Sequence, residues 1–218
     1  MSWGPLLLSL KVSLLATALV AAAGLLAAFA LANARFRGKS LVESALLLPM
    51  VLPPTVTGYY LVLLLGRHGL LGGSLYRWTG WNVLFTWQAA VVASAVVSFP
   101  IMVRSAQTAI ESVDPEMVDS STMLGYTRAE TALYVVLPLA WQGILAGIML
   151  AFTRAIGEFG ATLMLAGNIP GRTDTMPLAI YASAASGDWS QAHLLVAMLT
   201  ALSVVLLTAA RHYSRSVL

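Results

Sequence analysis

The chain has 218 residues, of which 59% are hydrophobic and only 10% charged, and its formal net charge is +3. Soluble domains carry about a quarter charged residues, so this composition specifies an integral membrane protein. Absence of cysteine excludes a disulfide framework and a thiolate metal site. The weak positive charge is no signal for nucleic acid, and a single transmembrane domain over residues 1–218 is expected.

Five stretches are apolar and long enough for the roughly 20 residues that a bilayer crossing takes. They are Val12–Ala32, Ser44–Gly66, Val83–Val103, Leu139–Ala166 and Ser190–Ala210. The fold class expected is therefore all-α, with five transmembrane helices. The first stretch is rich in Ala and Leu, with Ser13, Thr17 and Gly24 as close-approach points. Ala32-Asn33-Ala34 mimics a signal-peptide cleavage site, but no basic segment precedes this run, and it is too long for a signal core. The second stretch contains Pro49, Pro53, Pro54 and Gly58. Prolines remove backbone donors, and the freed carbonyls must be satisfied by neighbours or by a wet cavity, so this span either lines a path or is a kinked packing helix. Thr55, Thr57, Tyr59 and Tyr60 add hydroxyls to it. Gln107, Glu111 and Asp114 read as solvated helix faces.

The polar interruption at about 107–138 holds a short helix. Asp114-Pro115 has the form of a cap followed by Pro at the first helical position, Glu116 and Asp119 suit the positive end of the helix dipole, and Gly125 suits the stop. Lying between two spans, this helix sits on the surface, and Met117, Met123 and Leu124 are the side chains a partner would use.

The fourth stretch contains Arg154 and Glu158, which at i and i+4 meet on one helix face. Charges inside a span usually face the bundle interior and mark a pathway. The pair either fixes helix packing, lines the pathway, or does both. Met176–Ser186 is a candidate short helix lying on the membrane. The histidines His68, His193 and His212 are scattered, and no GxxxxGK phosphate loop is present, so this chain does not itself hydrolyse ATP.

Lys and Arg distribution sets the orientation. Arg35, Arg37, Lys39, Arg104, Arg128, Arg211 and Arg215 fall on one side, seven against the four of Lys11, Arg67, Arg77 and Arg172. The first side is cytoplasmic, which puts the amino terminus outside, the carboxyl terminus inside and the 107–138 loop in the cytoplasm. Trp3, Trp78, Trp81 and Trp189 mark the outer interface; Trp141 and Tyr213 mark the inner one.

Asp119-Ser120-Ser121, three residues, Gly125, nine residues, then Val135-Val136-Leu137-Pro138 resembles the cytoplasmic loop of ABC importer permeases, with Asp-Ser-Ser in place of Glu-Ala-Ala. Three further stretches are similar to the molybdate permeases of that family: LPPTVTGYY at 52–60, FPIMVRSAQTAIESVD at 99–114 and RAIGEFGATLMLAGNIPGRTDTMPLAIY at 154–181. The GEFGA core is shared with sulfate permeases, whereas its continuation is more specific to the molybdate branch.

The resemblance implies the type I ABC importer permease fold with a cytoplasmic coupling helix, in a bacterial or archaeal cytoplasmic membrane. It implies as partners a second copy of the permease, two ATP-binding subunits that hold ATP and Mg, and an extracytoplasmic molybdate-binding protein. This chain itself would carry no cofactor. Asp119, Ser120, Ser121, Met123, Leu124 and Gly125 would dock on the ATPase subunit. Arg154 and Glu158 would lie near the path or gate, and Thr55, Thr57, Thr162 and Asn168 would offer hydrogen bonds to oxyanion oxygens. Sulfate and tungstate are alternative substrates of the same geometry. A secondary transporter would show inverted repeats or paired broken helices; one strongly broken span and no repeat are read here.

Overall fold

A computed structural model describes residues 3–34 and 36–215; Arg35 lies outside the described residues, as do the side chains of Arg211, His212, Tyr213 and Arg215. The described residues are helical, with no strand. In order they form α1 (Gly4–Asn33), α2 (Lys39–Val51), α3 (Pro54–Leu65), α4 (Gly72–Thr79), α5 (Trp87–Glu111), α6 (Pro115–Met123), α7 (Arg128–Thr131), α8 (Leu137–Ile156), α9 (Gly160–Ala166), α10 (Met176–Ala185) and α11 (Trp189–Arg215).

Among the described residues, four helical runs are long and apolar enough to cross a membrane: α1, α5, the run Arg128–Ile156, and Trp189–Leu206 of α11. A fifth crossing is obtained by taking α2 and α3 together, and this pair is bent by 112°. The bend falls at Leu52-Pro53. Pro53 and Pro54 supply no backbone N–H to continue α2 and confine the chain to extended entry.

α5 runs through the middle, between α1 and α8. Small side chains set this packing: Ala16, Ala28, Ala89, Ala93, Ala106, Ala140 and Ala151 are buried along the three helices. A side chain at Gly24 would meet Met102 Cγ at 2.8 Å, so α1 and α5 touch closely there. Without water to drive association, such fitted contact is what holds helices together in lipid. α5 starts at Trp87 rather than Val83, because Thr86 Oγ1 caps it by accepting from Ala89 N at 3.2 Å.

The run into α8 widens into a π-turn at Ala132–Val136, where Leu137 N reaches back to Ala132 O. Pro138 follows directly. Its missing donor and its ring disturb the preceding turn, and one wider turn accommodates both.

Two expectations change. The fourth span is not one helix to Ala166: α8 stops at Ile156 and α9 starts afresh at Gly160, so two spans are broken where one was expected. The 176–186 helix is not merely laid on a surface. α10 is packed against α1 and α11, with Met176, Leu178, Ala179 and Ser183 buried, and Met176 N donates to Ser9 Oγ of α1 at 2.7 Å.

Candidate functional sites: an exposed loop helix and a junction of two broken spans

α6 is held rigidly at both ends. Asp114 Oδ1 accepts from Glu116 N at 2.9 Å. At the other end Gly125 has φ of +92°, Tyr126 N donates to Ser121 O and Gly125 N to Thr122 O, the paired bonds of a Schellman stop. Thr127 then opens α7 in a capping box with Glu130. Two caps back to back leave little slack between α6 and the long helix that follows.

The same loop sorts the residues expected to dock. Met123 and Leu124 are 87% and 79% exposed, and Met117, Asp119 and Ser120 are exposed beside them. Together Met117, Met123 and Leu124 form an exposed apolar patch on an otherwise polar loop helix. Ser121 differs: it is buried, donates to Val118 O at 2.7 Å, and is 2.9 Å from Thr131 Oγ1 of α7. It pins α6 to the rest of the molecule. Gly125 is exposed and supplies the left-handed turn. Behind α6 lies a cleft of about 610 Å³ bordered by Asn33, Glu111, Val118, Thr122 and Arg128.

The second site is the meeting of the two interrupted spans. α3 and α9 run side by side from adjacent breaks. A Cβ on Gly160 would lie 2.9 Å from Pro54 Cβ and 3.2 Å from Thr55 N; one on Gly58 would lie 2.9 Å from Ala161 Cα and 2.8 Å from Met164 Cβ. Glycine at both positions is what lets the half-helices close on each other.

Glu158 sits in the break between α8 and α9 and is 3% exposed. Its Oε2 receives Arg154 Nη1 at 2.8 Å, and its Oε1 receives Ala161 N at 2.8 Å. The expected ion pair therefore forms, and the carboxylate also caps the first turn of α9, a role that the reading of one continuous helix missed. Gly157 and Gly160 flanking an acidic residue were the sequence signal for that break. Arg154 keeps 32% of its side chain exposed and faces the edge of the junction. Beside it the Phe159 and Tyr181 rings lie 5.3 Å apart.

The hydroxyl candidates do not all gather at one point. Thr57 and Thr162 are buried on the two half-helices, and their Oγ1 atoms have no partner. Thr55 lies at the break itself and is exposed. Asn168 is beyond the far end of α9, a helix about 10 Å long, and its buried Oδ1 is likewise unpartnered. Its loop is shaped by Thr173, whose Oγ1 accepts from Ile169 N at 2.9 Å and donates to Gly167 O at 3.2 Å.

Comparison with known proteins identifies the kind of membrane bundle this is. Residues 21–218 match the family model described as the binding-protein-dependent transport system inner membrane component. The chain belongs to that family. It is 46% identical over 179 residues, 82% of this chain and 78% of the relative, to the molybdenum transport system permease protein ModB of Escherichia coli K12. It is 41% identical over 203 residues, 93% of this chain and 89% of the relative, to the putative molybdenum transport system permease YvgM of Bacillus subtilis. The sulfate transport system permease CysT of Salmonella typhimurium is 36% identical over 184 residues, 84% of this chain and 66% of that protein.

Among solved structures, a chain of a bacterial ABC transporter involved in import of the acidic polysaccharide alginate matches with a TM-score of 0.80 at 17% identity, over 98% of this chain and 78% of the other. A chain of the inward-facing methionine transporter MetNI matches with a TM-score of 0.72 at 15% identity, over 99% and 94%. The fold is thus that of the type I ABC importer permeases, and this chain is a multi-pass membrane protein.

Proposed function

We propose that the chain is the transmembrane subunit of an ATP-driven importer that moves molybdate into the cell. The observation that carries this reading is its 46% identity over 82% of its length to a molybdenum transport permease, higher than the 36% to a sulfate permease. The GEFGAT motif lies at the broken-span junction, and its AGNIPG continuation, the part more specific to the molybdate branch, follows at the far end of α9.

Molybdate is a tetrahedral dianion and cannot enter hydrocarbon unaided. Two copies of the chain enclose a polar path, and separate subunits bind ATP and Mg and hydrolyse the nucleotide. The α6 end faces the cytoplasm, in keeping with Arg37, Lys39 and Arg128 there and with the outer positions of Arg67, Arg77 and Arg172. Met123 and Leu124 enter the ATPase subunit. The stiff capped link from α6 through α7 carries its displacement into α8. At the far end of α8 that motion reaches the Arg154–Glu158 pair and the α3–α9 contact, where the path opens or closes. Thr57 and Thr162, with hydroxyls unpaired in this state, donate to the oxyanion as it passes. An extracytoplasmic binding protein delivers it to the 67–82 and 167–189 loops.

The test is ATPase stimulation. The assembly purified on a tag carried by this chain is given its binding protein loaded with molybdate, loaded with sulfate, or empty. Stimulation by the molybdate form above the other two supports the proposal; equal rates in all three contradict it.

A further inference from the structure

Gln107 looks in the sequence like a solvated residue, yet it is 3% exposed, in the last turns of α5. Its Nε2 donates at 2.9 Å to Glu43 Oε1 on α2 and at 2.9 Å to Glu111 Oε1, one turn further along α5. An amide nitrogen has two hydrogens, and both are used. Facing two carboxylates, the amide must present its nitrogen, because its oxygen would be repelled. Lys39 Nζ lies 3.8 Å from Glu43 Oε1 and 3.9 Å from Glu111 Oε1, so one cation sits between the two acids. Arg104, Leu46, Leu47 and Pro100 line a small pocket with Glu43 and Gln107.

The placement of this cluster matters more than its strength. No residue of α2 is fully buried and only the half-buried Leu46 is packed against the core, so α2 has little apolar interlock to fix its position along the bundle. Directional bonds to Gln107 and Glu111 supply that register. On one side, Glu111 ends α5, three residues before Asp114 caps α6, and it also borders the cleft behind α6 with Val118 and Thr122. On the other, α2 leads through the Pro53-Pro54 break into α3, which closes on α9 beside Glu158.

We infer that the Lys39–Glu43–Gln107–Glu111 cluster is a rigid link that carries displacement of α6 into the broken span α2–α3, a second route to the junction besides α8. The four are positioning residues for transport. The inference rests on reading α6 as the ATPase docking helix and the α3–α9 junction as the gate.

The test uses the complete transporter in proteoliposomes and reads oxyanion taken up per ATP hydrolysed. Gln107→Met keeps the volume and removes both donors. The expected result is an assembled complex whose ATPase stays within about twofold of the parent, with uptake per ATP reduced about tenfold, a typical coupling between distant sites. Unchanged uptake per ATP overturns the inference. So does a proportional fall of uptake and ATPase, which is the signature of a purely structural role.

A second variant guards against misfolding. Glu43→Cys with Gln107→Cys is introduced into a chain with no cysteine of its own, and the two thiols are bridged by a short bifunctional reagent. The unbridged variant is expected to show low uptake per ATP and the bridged one to recover at least about half of the parental ratio, since a covalent strut replaces the hydrogen bonds. A bridge that leaves the ratio low, or lowers it further, overturns the rigid link. The ratio is taken with whichever oxyanion the parent transports, so a parent that moves sulfate instead of molybdate contradicts the substrate reading while the link is still measured.

Discussion

Removing either member of the Arg154–Glu158 pair should cost more than removing both. Glu158 is 3% exposed and holds two donors, Arg154 Nη1 and Ala161 N, each at 2.8 Å. Arg154→Ala leaves a buried carboxylate with only the Ala161 amide, at the lower end of the about 3–5 kcal/mol seen for orphaned buried charges. Glu158→Ala leaves an arginine that is one-third exposed and so partly rehydrated, and strips the cap from α9; together these cost about 2–3 kcal/mol. The double variant orphans no charge and loses only the cap, about 1–2 kcal/mol. The singles thus sum to about 5–6 kcal/mol against 1–2 for the pair, a coupling of roughly 4 kcal/mol. The assay is unfolding of the four purified proteins by denaturing detergent in mixed micelles, with Glu158→Gln as a control that keeps the cap and loses the charge. Losses additive to within about 0.5 kcal/mol would refute the reasoning.

Four further outcomes follow from the same geometry. Leu124→Glu together with Met123→Glu should abolish co-purification of the ATPase subunit without altering the detergent stability of the chain, because both side chains point outward. Gly125→Trp should assemble but hydrolyse ATP without transport: its Cβ would meet nothing within 4 Å, so the stability cost is the left-handed backbone alone, about 1–2 kcal/mol, and normal coupled uptake would count against the role of that turn. Gly58→Leu should destabilise by about 1–3 kcal/mol or more, since its Cβ would press on the α9 backbone, and a parental unfolding midpoint would show that α3 and α9 are not packed as described. Thr57→Val and Thr162→Val should leave stability unchanged or slightly raised, because the hydroxyls they remove are buried and unpartnered; if uptake is also unchanged, these hydroxyls do not serve the passing anion.

The features legible in the sequence were those written in local chemistry. Asp114-Pro115 and Gly125 delimit α6 because caps and left-handed turns are decided by a few adjacent residues. The Pro53-Pro54 break is legible for the same reason. Arg154 and Glu158 could be paired from their spacing, but the spacing is equally consistent with a continuous helix, and only the structure shows Glu158 capping a new one. The Thr127–Glu130 capping box has a local sequence signal of its own, the T-x-x-E pattern. Ser121 and Gln107 illustrate the other kind of miss. Both are polar residues in a polar loop or near one, and a sequence has no way to show that Thr131 faces the first, or that Glu43, 64 positions away, faces the second. Their burial is a tertiary fact, satisfied by partners that pattern reading does not bring together.

The central claim is that this chain conducts molybdate under ATP control. The most direct measurement is uptake of labelled molybdate into vesicles carrying the assembled transporter and its binding protein, with and without ATP, and with excess sulfate as competitor. The expected result is uptake that requires ATP and persists in the presence of sulfate. Uptake that proceeds without ATP would contradict it.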